Sequence, residues 1–168
     1  MAALLALVLV GVLTYVPRLM GKNKASKSAK ELFAKSRAIN LLAALTKAGQ
    51  NCRYVSKNAA PRAVYESKLT GHFRKTHISN LFSGSGAFLE AEENAFDTLI
   101  VDEAHRLNEK SGLYENRGEN QIKEIINATK CAIFFVDEDQ RVTFKDIGGK
   151  QVIEQWSIKT GAKVSKME

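Results

Sequence analysis

Residues 1–16 carry no charged side chain and are almost all Ala, Leu and Val, interrupted by Gly11, Thr14 and Tyr15 and closed by Pro17 and Arg18. From Ser26 the pattern changes to helical and strand-like periods in alternation. Leu32, Phe33, Ile39, Leu41, Leu42 and Leu45 recur at helical spacing. Ser26 or Ser28 is placed to cap the start, and Gly49 stands just past the end, where a left-handed residue closes a helix. Residues 51–56 predict a short strand in which Cys52, Tyr54 and Ser56 alternate against Arg53 and Val55. Pro61 suits the first turn of a helix running through Val64, Tyr65 and Leu69 and ended by Gly71. Residues 72–95 show no regular period. Ser83-Gly84-Ser85-Gly86 reads as a flexible turn and not as a phosphate loop, because no helix start with Lys-Ser/Thr follows it.

Two later segments are denser. Phe96, Leu99, Ile100 and Val101 lead into Asp102-Glu103-Ala104-His105, and Ala132, Ile133, Phe134, Phe135 and Val136 lead into Asp137-Glu138-Asp139-Gln140. Continuous apolar runs of this length fit strands covered on both faces, as in parallel sheets flanked by helices. Residues 119–129 between them place Ile122, Ile125 and Ile126 at helical spacing, and residues 151–160 predict a last helix stopped by Gly161. The alternation predicts an α/β three-layer fold with a mainly parallel sheet. In such sheets ligands bind at the carboxyl ends of the strands, where both acidic clusters fall.

Composition refines this picture. A chain of 168 residues with 45% apolar and 26% charged residues is one globular domain, which excludes a disordered chain, a multi-span membrane protein and a complete two-domain motor. Two cysteines far apart, Cys52 and Cys131, are too few for a disulfide scaffold or a thiolate zinc site and read as small buried hydrophobes in a reducing cytoplasm. His72, His77 and His105 have no metal-ligand spacing. The net charge of +7 is concentrated: Arg18, Lys22, Lys24, Lys27, Lys30, Lys35 and Arg37 against Glu31 account for six of the excess charges. This stretch offers contacts to phosphate groups of lipid or nucleic acid, or is a solvated face. It lacks the interleaved aromatics that stack bases. Residues 1–16 are short for a spanning helix, which needs about 20 residues. With the basic run behind them they predict a short membrane anchor, a buried strand and turn, or a non-native amino terminus ahead of a truncated domain.

The chemistry lies in the acidic clusters. An Asp directly after a buried strand suits Mg²⁺ held through its waters beside nucleotide phosphates, and a Glu next to it suits polarisation of an attacking water. The competing reading of Asp102 and Glu103 is a helix cap, and that of residues 137–140 a solvated turn. Residues 96–107 (FDTLIVDEAHRL) resemble motif II of the Schlafen-like DNA/RNA helicase domain, a superfamily-1-type P-loop ATPase. Residues 118–126 (GENQIKEII) and 134–142 (FFVDEDQRV) are similar to that family in order and spacing, the second to its motif III. Residues 39–45 resemble the helix after its phosphate loop, and the likeness covers roughly residues 38–163.

The resemblance implies a RecA-like fold, ATP and Mg²⁺ as cofactors, Asp102 as metal-binding residue, Glu103 as catalytic residue and Gln140 as γ-phosphate sensor. It also implies Lys35 and Ser36 as the phosphate-loop pair, with DNA or RNA as a partner. Here the chain departs from the family pattern. Where Gly-x-x-x-x-Gly-Lys-Ser/Thr is expected, it reads Ala29-Lys30-Glu31-Leu32-Phe33-Ala34-Lys35-Ser36. Alanine resists the positive φ a phosphate cradle uses, and Glu31, Leu32 and Phe33 favour extending the helix backwards. The expected organisation is an apolar segment at 1–20, a basic linker or degenerate phosphate loop at 21–37 and the helicase-like domain at 38–164. A second RecA-like domain with its arginine finger is not expected within this length, so the chain is expected to be a truncated fragment, a decayed remnant, or a domain whose missing half a partner supplies in trans. Two functions follow: an ATP-dependent helicase-like domain that does not turn over in isolation, or an inactive binding remnant, cytoplasmic or tethered through residues 1–16, acting through its basic segment or a partner.

Overall fold

A computed structural model describes residues 7–12, 27–69, 75–112, 114, 116–137 and 147–167. Strand β1 (Leu7–Val12) is followed by helix α1 (Lys27–Lys47), β2 (Cys52–Val55), α2 (Ala59–Leu69), α3 (Lys75–Leu81) and β3 (Phe82–Ser83). A 3₁₀ turn (Ser85–Phe88) leads to β4 (Phe96–Val101) and a second 3₁₀ turn (Ala104–Arg106). Then come α4 (Gln121–Ala128), β5 (Thr129–Val136), α5 (Lys150–Lys159) and β6 (Lys163–Met167).

The strands form one six-stranded sheet in the order β3-β2-β4-β5-β1-β6. Every pairing is parallel. β5 lies between β1 and β4, so the first strand of the chain is interior, paired along Leu7↔Cys131 to Val12↔Val136 on one side and Leu7↔Lys163 to Gly11↔Met167 on the other. An apolar run suits an interior strand of a parallel sheet. Of the expectations for residues 1–16, Leu7–Val12 takes the strand, and residues 1–6 and 13–16 lie outside the described residues. The backbone of Leu7–Val12 is spent on sheet hydrogen bonds, and among the described residues no helix is long and apolar enough to cross a membrane.

Helices cover the sheet on two sides, giving three layers of RecA-like α/β type. On one face Ala38 and Leu42 of α1 and Ile78 of α3 pack on Cys52, Tyr54, Phe82, Ile100 and Ile133. On the other, Ile122, Ile125 and Ile126 of α4 and Ile153 of α5 pack on Leu99, Val101, Ala132, Phe134 and Val136. Register enforces the division: Tyr54, Ile100 and Ile133 are paired across three strands and share the α1 face, while Leu99 and Ala132 share the opposite one. Each buried branched side chain contributes roughly 1.5–3 kcal/mol.

Local chemistry sets the ends. Gly49, at φ +80°, closes α1, its N–H bonding to Thr46 O and that of Gln50 to Leu45 O. Asn120 caps α4, its side chain accepting from Ile122 N at 2.9 Å. Several expectations change. Residues 72–95 contain α3, β3 and a 3₁₀ turn, and the 83–86 stretch is structured, with Ser83, Ser85 and Phe88 buried. β2 is buried on both faces, since Val55 is as inaccessible as Tyr54. The stretch expected at 21–37 as linker or loop is helix from Lys27 onward.

Candidate functional site

All strands run the same way, so the turns after β2, β4 and β5 meet at one edge. Asp102 follows β4 and is buried, 3% exposed. Its N–H bonds to Val55 O at 2.9 Å, extending the β2–β4 ladder by one step. Asp102 stands two residues beyond Ile100 and so shares its face, the one covered by α1 and bearing Tyr54. The Tyr54 hydroxyl donates to Asp102 Oδ2. Burial, and secondarily the adjoining Asp102 charge, push the Tyr54 phenol far above its ordinary value, so it stays a protonated donor.

Among the described residues at this edge, Glu103 is the one non-glycine held with a left-handed backbone, at φ 50° and ψ 45°. Such a conformation costs of order 1 kcal/mol or more and persists only where surroundings impose it. Here the imposing contacts are visible. Asn58 Nδ2 donates to Glu103 Oε2 at 3.3 Å, and the Arg106 guanidinium lies 3.6 Å from the same oxygen. The following 3₁₀ turn buries Ala104 and His105. His105 Nδ1 accepts from the Asp137 N–H at 3.3 Å, joining the ends of β4 and β5. From the far side the segment before α5 closes on the turn, with Ile147 N–H bonding to Leu107 O at 2.9 Å. Gly148 passes so near that a Cβ there would lie 1.6 Å from Ala104 O. The turn after β4 is therefore clamped by β2, β5 and the approach to α5 together.

The structure brings Asp102, Glu103, His105 and Asp137 to one edge. Lys35 and Ser36 lie within α1, eight residues or more from its first residue Lys27, which is about 12 Å of helix. Gln140 lies outside the described residues, as do Glu138 and Asp139. His77 is exposed on α3, and His72 lies outside the described residues. Both cysteines are free thiols, Cys52 buried and Cys131 half-buried, and burial pushes the Cys131 thiol up. Sequence reasoning missed Tyr54 and Asn58 as neighbours of the acidic pair. The one available signal was Tyr54 standing in phase with Cys52 on β2, one residue before its end. A groove of about 610 Å³ lined by Leu41, Leu45, Gln50, Thr98, Cys131 and Ile133 opens near the starts of β4 and β5, at the opposite edge of the sheet.

The family described as Schlafen group 3, DNA/RNA helicase domain matches residues 36–168. The chain belongs to this family. None of the curated proteins matches it. The Schlafen helicase-domain match takes in Asp102, Glu103 and Gln140 and starts at Ser36, one residue after Lys35. The match thus covers the acidic edge and begins at Ser36, the last residue of the stretch where a glycine loop is expected.

The donor set can be compared with the groups the family implies. A buried carboxylate at a strand's carboxyl end suits Mg²⁺, which keeps most of its waters and uses one or two carboxylates. Among the described residues there is no cluster of three or more His, Cys, Asp or Glu that would enclose a metal by itself. The phosphate half does not fit in the same way. Within a continuous helix the amides from Glu31 onward bond to carbonyls four residues back and are not available to wrap phosphates.

Proposed function

We propose that this chain is a Schlafen-type helicase domain that engages Mg²⁺-nucleotide through Asp102 and Glu103 and does not hydrolyse it as an isolated domain. The observation that carries the reading is the contrast within one edge: a clamped Asp102-Glu103 turn beside a helix, Lys27–Lys47, that runs unbroken through Lys35 and Ser36. Asp102 would accept hydrogen bonds from the water shell of the ion, and Glu103, fixed by Asn58 and Arg106, would orient a water near it. Bound Mg²⁺ would supply charge neutralisation at the phosphates. With no glycine loop to hold those phosphates, binding is weak and the terminal phosphate is not aligned for attack. Gln140 as sensor, DNA or RNA as partner and a second RecA-like domain in trans belong to this reading as further proposals from the family. Arg37, exposed on α1, belongs to the basic run that would meet nucleic-acid phosphates.

Phosphate release from ATP by the full chain, with and without single-stranded DNA or RNA, tests this. The expected result is release no faster than that of the Glu103→Gln variant. Release well above that of Glu103→Gln overturns the non-hydrolysing part of the reading.

A further inference from the structure

Asp102 is buried on the face of the sheet where Tyr54 sits, and the two are joined across neighbouring strands. Tyr54 is fully buried, and its ring has little freedom. It meets Tyr65 of α2 edge-on at 5.9 Å and Phe82 of β3 edge-on at 5.7 Å, while Tyr65 and Phe82 stack on each other at 6.0 Å. An aromatic ring held on two sides delivers its hydroxyl to one place. A carboxylate that accepts from a fixed hydroxyl has lost its rotation about Cβ–Cγ, so its oxygens point in set directions before any ligand arrives.

We propose that Tyr54 is a positioning residue for Asp102, orienting the carboxylate toward the water shell of Mg²⁺ in the nucleotide complex. The inference rests on the Mg²⁺-nucleotide reading above and adds to it a residue on a different strand, outside the acidic motif. Tyr54 touches neither the ion nor the nucleotide, and its effect passes through the orientation of Asp102. Residues that hydrogen-bond to a metal's ligands and hold them in place commonly change metal affinity by about 10- to 100-fold.

Saturation-transfer NMR on the adenine protons of ATP, with the full chain and increasing Mg²⁺, separates the possibilities. Wild type is expected to show a Mg²⁺-dependent signal. Tyr54→Phe should raise the half-saturating Mg²⁺ about tenfold, the worth of a hydrogen bond to a charged group, while in EDTA neither wild type nor variant gives a signal. In an Asp102→Asn background the same substitution should add nothing. Phe82→Leu loosens the ring's support but keeps the hydroxyl, so it reports packing effects and should shift the Mg²⁺ midpoint clearly less than Tyr54→Phe does. An unchanged midpoint in Tyr54→Phe, or an equal shift in Phe82→Leu, overturns the positioning role and leaves the nucleotide reading standing. Absence of any Mg²⁺ dependence in wild type is a separate result that overturns the nucleotide reading and the positioning role with it.

Discussion

The turn after β4 and the first turns of α1 are the two halves that a nucleotide site of this fold would join, and they are built in opposite ways. At the turn after β4, residues from β2, β5 and the approach to α5 converge on a few residues: Tyr54 on Asp102, Asn58 and Arg106 on Glu103, Asp137 on His105 and Gly148 on Ala104. That convergence holds Glu103 in a left-handed conformation that local preference disfavours. In the first turns of α1 local preference governs. Ala29, Glu31, Leu32 and Ala34 are good helix formers, and the backbone is helical from Lys27. A disfavoured backbone conformation stands at Glu103, where tertiary contacts surround it, and the favoured helix forms in α1, where the local composition prefers it.

The largest effect is expected at the clamp. Gly148→Ala places a methyl group against the Ala104 carbonyl, a backbone atom that cannot swing aside. Thermal unfolding should show a loss of roughly 3–5 kcal/mol, the range of severe steric or packing defects. A loss below about 1 kcal/mol would show that the turn after β4 is not clamped from that side.

A smaller effect is expected when glycine is returned to α1. Ala29→Gly with Ala34→Gly should cost about 1 kcal/mol of helix preference per site. Far-ultraviolet circular dichroism should register a shorter α1, and an unchanged helical signal would mean that more than local preference holds those turns.

The smallest effect lies at the opposite edge of the sheet. Lys130 and the Asn51 N–H hold the exposed Asp97 carboxyl below its ordinary value. A depressed folded-state value stabilises the fold above the ordinary carboxylate range, and that contribution fades as pH falls through the folded-state value. Asp97→Asn should therefore cost at most a few tenths of a kcal/mol at neutral pH, as is usual for surface pairs, and nothing in strong acid. An equal cost at both pH values would assign the effect to packing instead.

Much of this contrast was legible in the sequence. The apolar runs before Asp102 and Asp137, the isoleucine spacing of α4 and the glycines after α1 and α5 report local periodicity and capping, and those elements form where the pattern puts them. The helix-forming composition of residues 29–34 likewise anticipated a helix extended backwards. What was not legible depends on non-local pairing. Leu7–Val12 reads equally as anchor or strand until β5 and β6 are seen on either side of it. α3 has only seven residues, too few to show a period, and β6 is an edge strand with two lysines and a serine among five residues, which carries little apolar signal. The Tyr54–Asp102 bond spans 48 residues and exists only because β2 and β4 are neighbours in register.

The measurement that tests the central claim most directly is calorimetric titration of Mg-ATP into the full chain, beside ATP in EDTA and Mg-ATP with Asp102→Asn. The account predicts weak binding, with Kd of about 1 mM (near 4 kcal/mol), that requires Mg²⁺ and disappears in Asp102→Asn. Micromolar binding that persists in Asp102→Asn would contradict it, because the phosphates would then be held by a cradle other than the acidic edge.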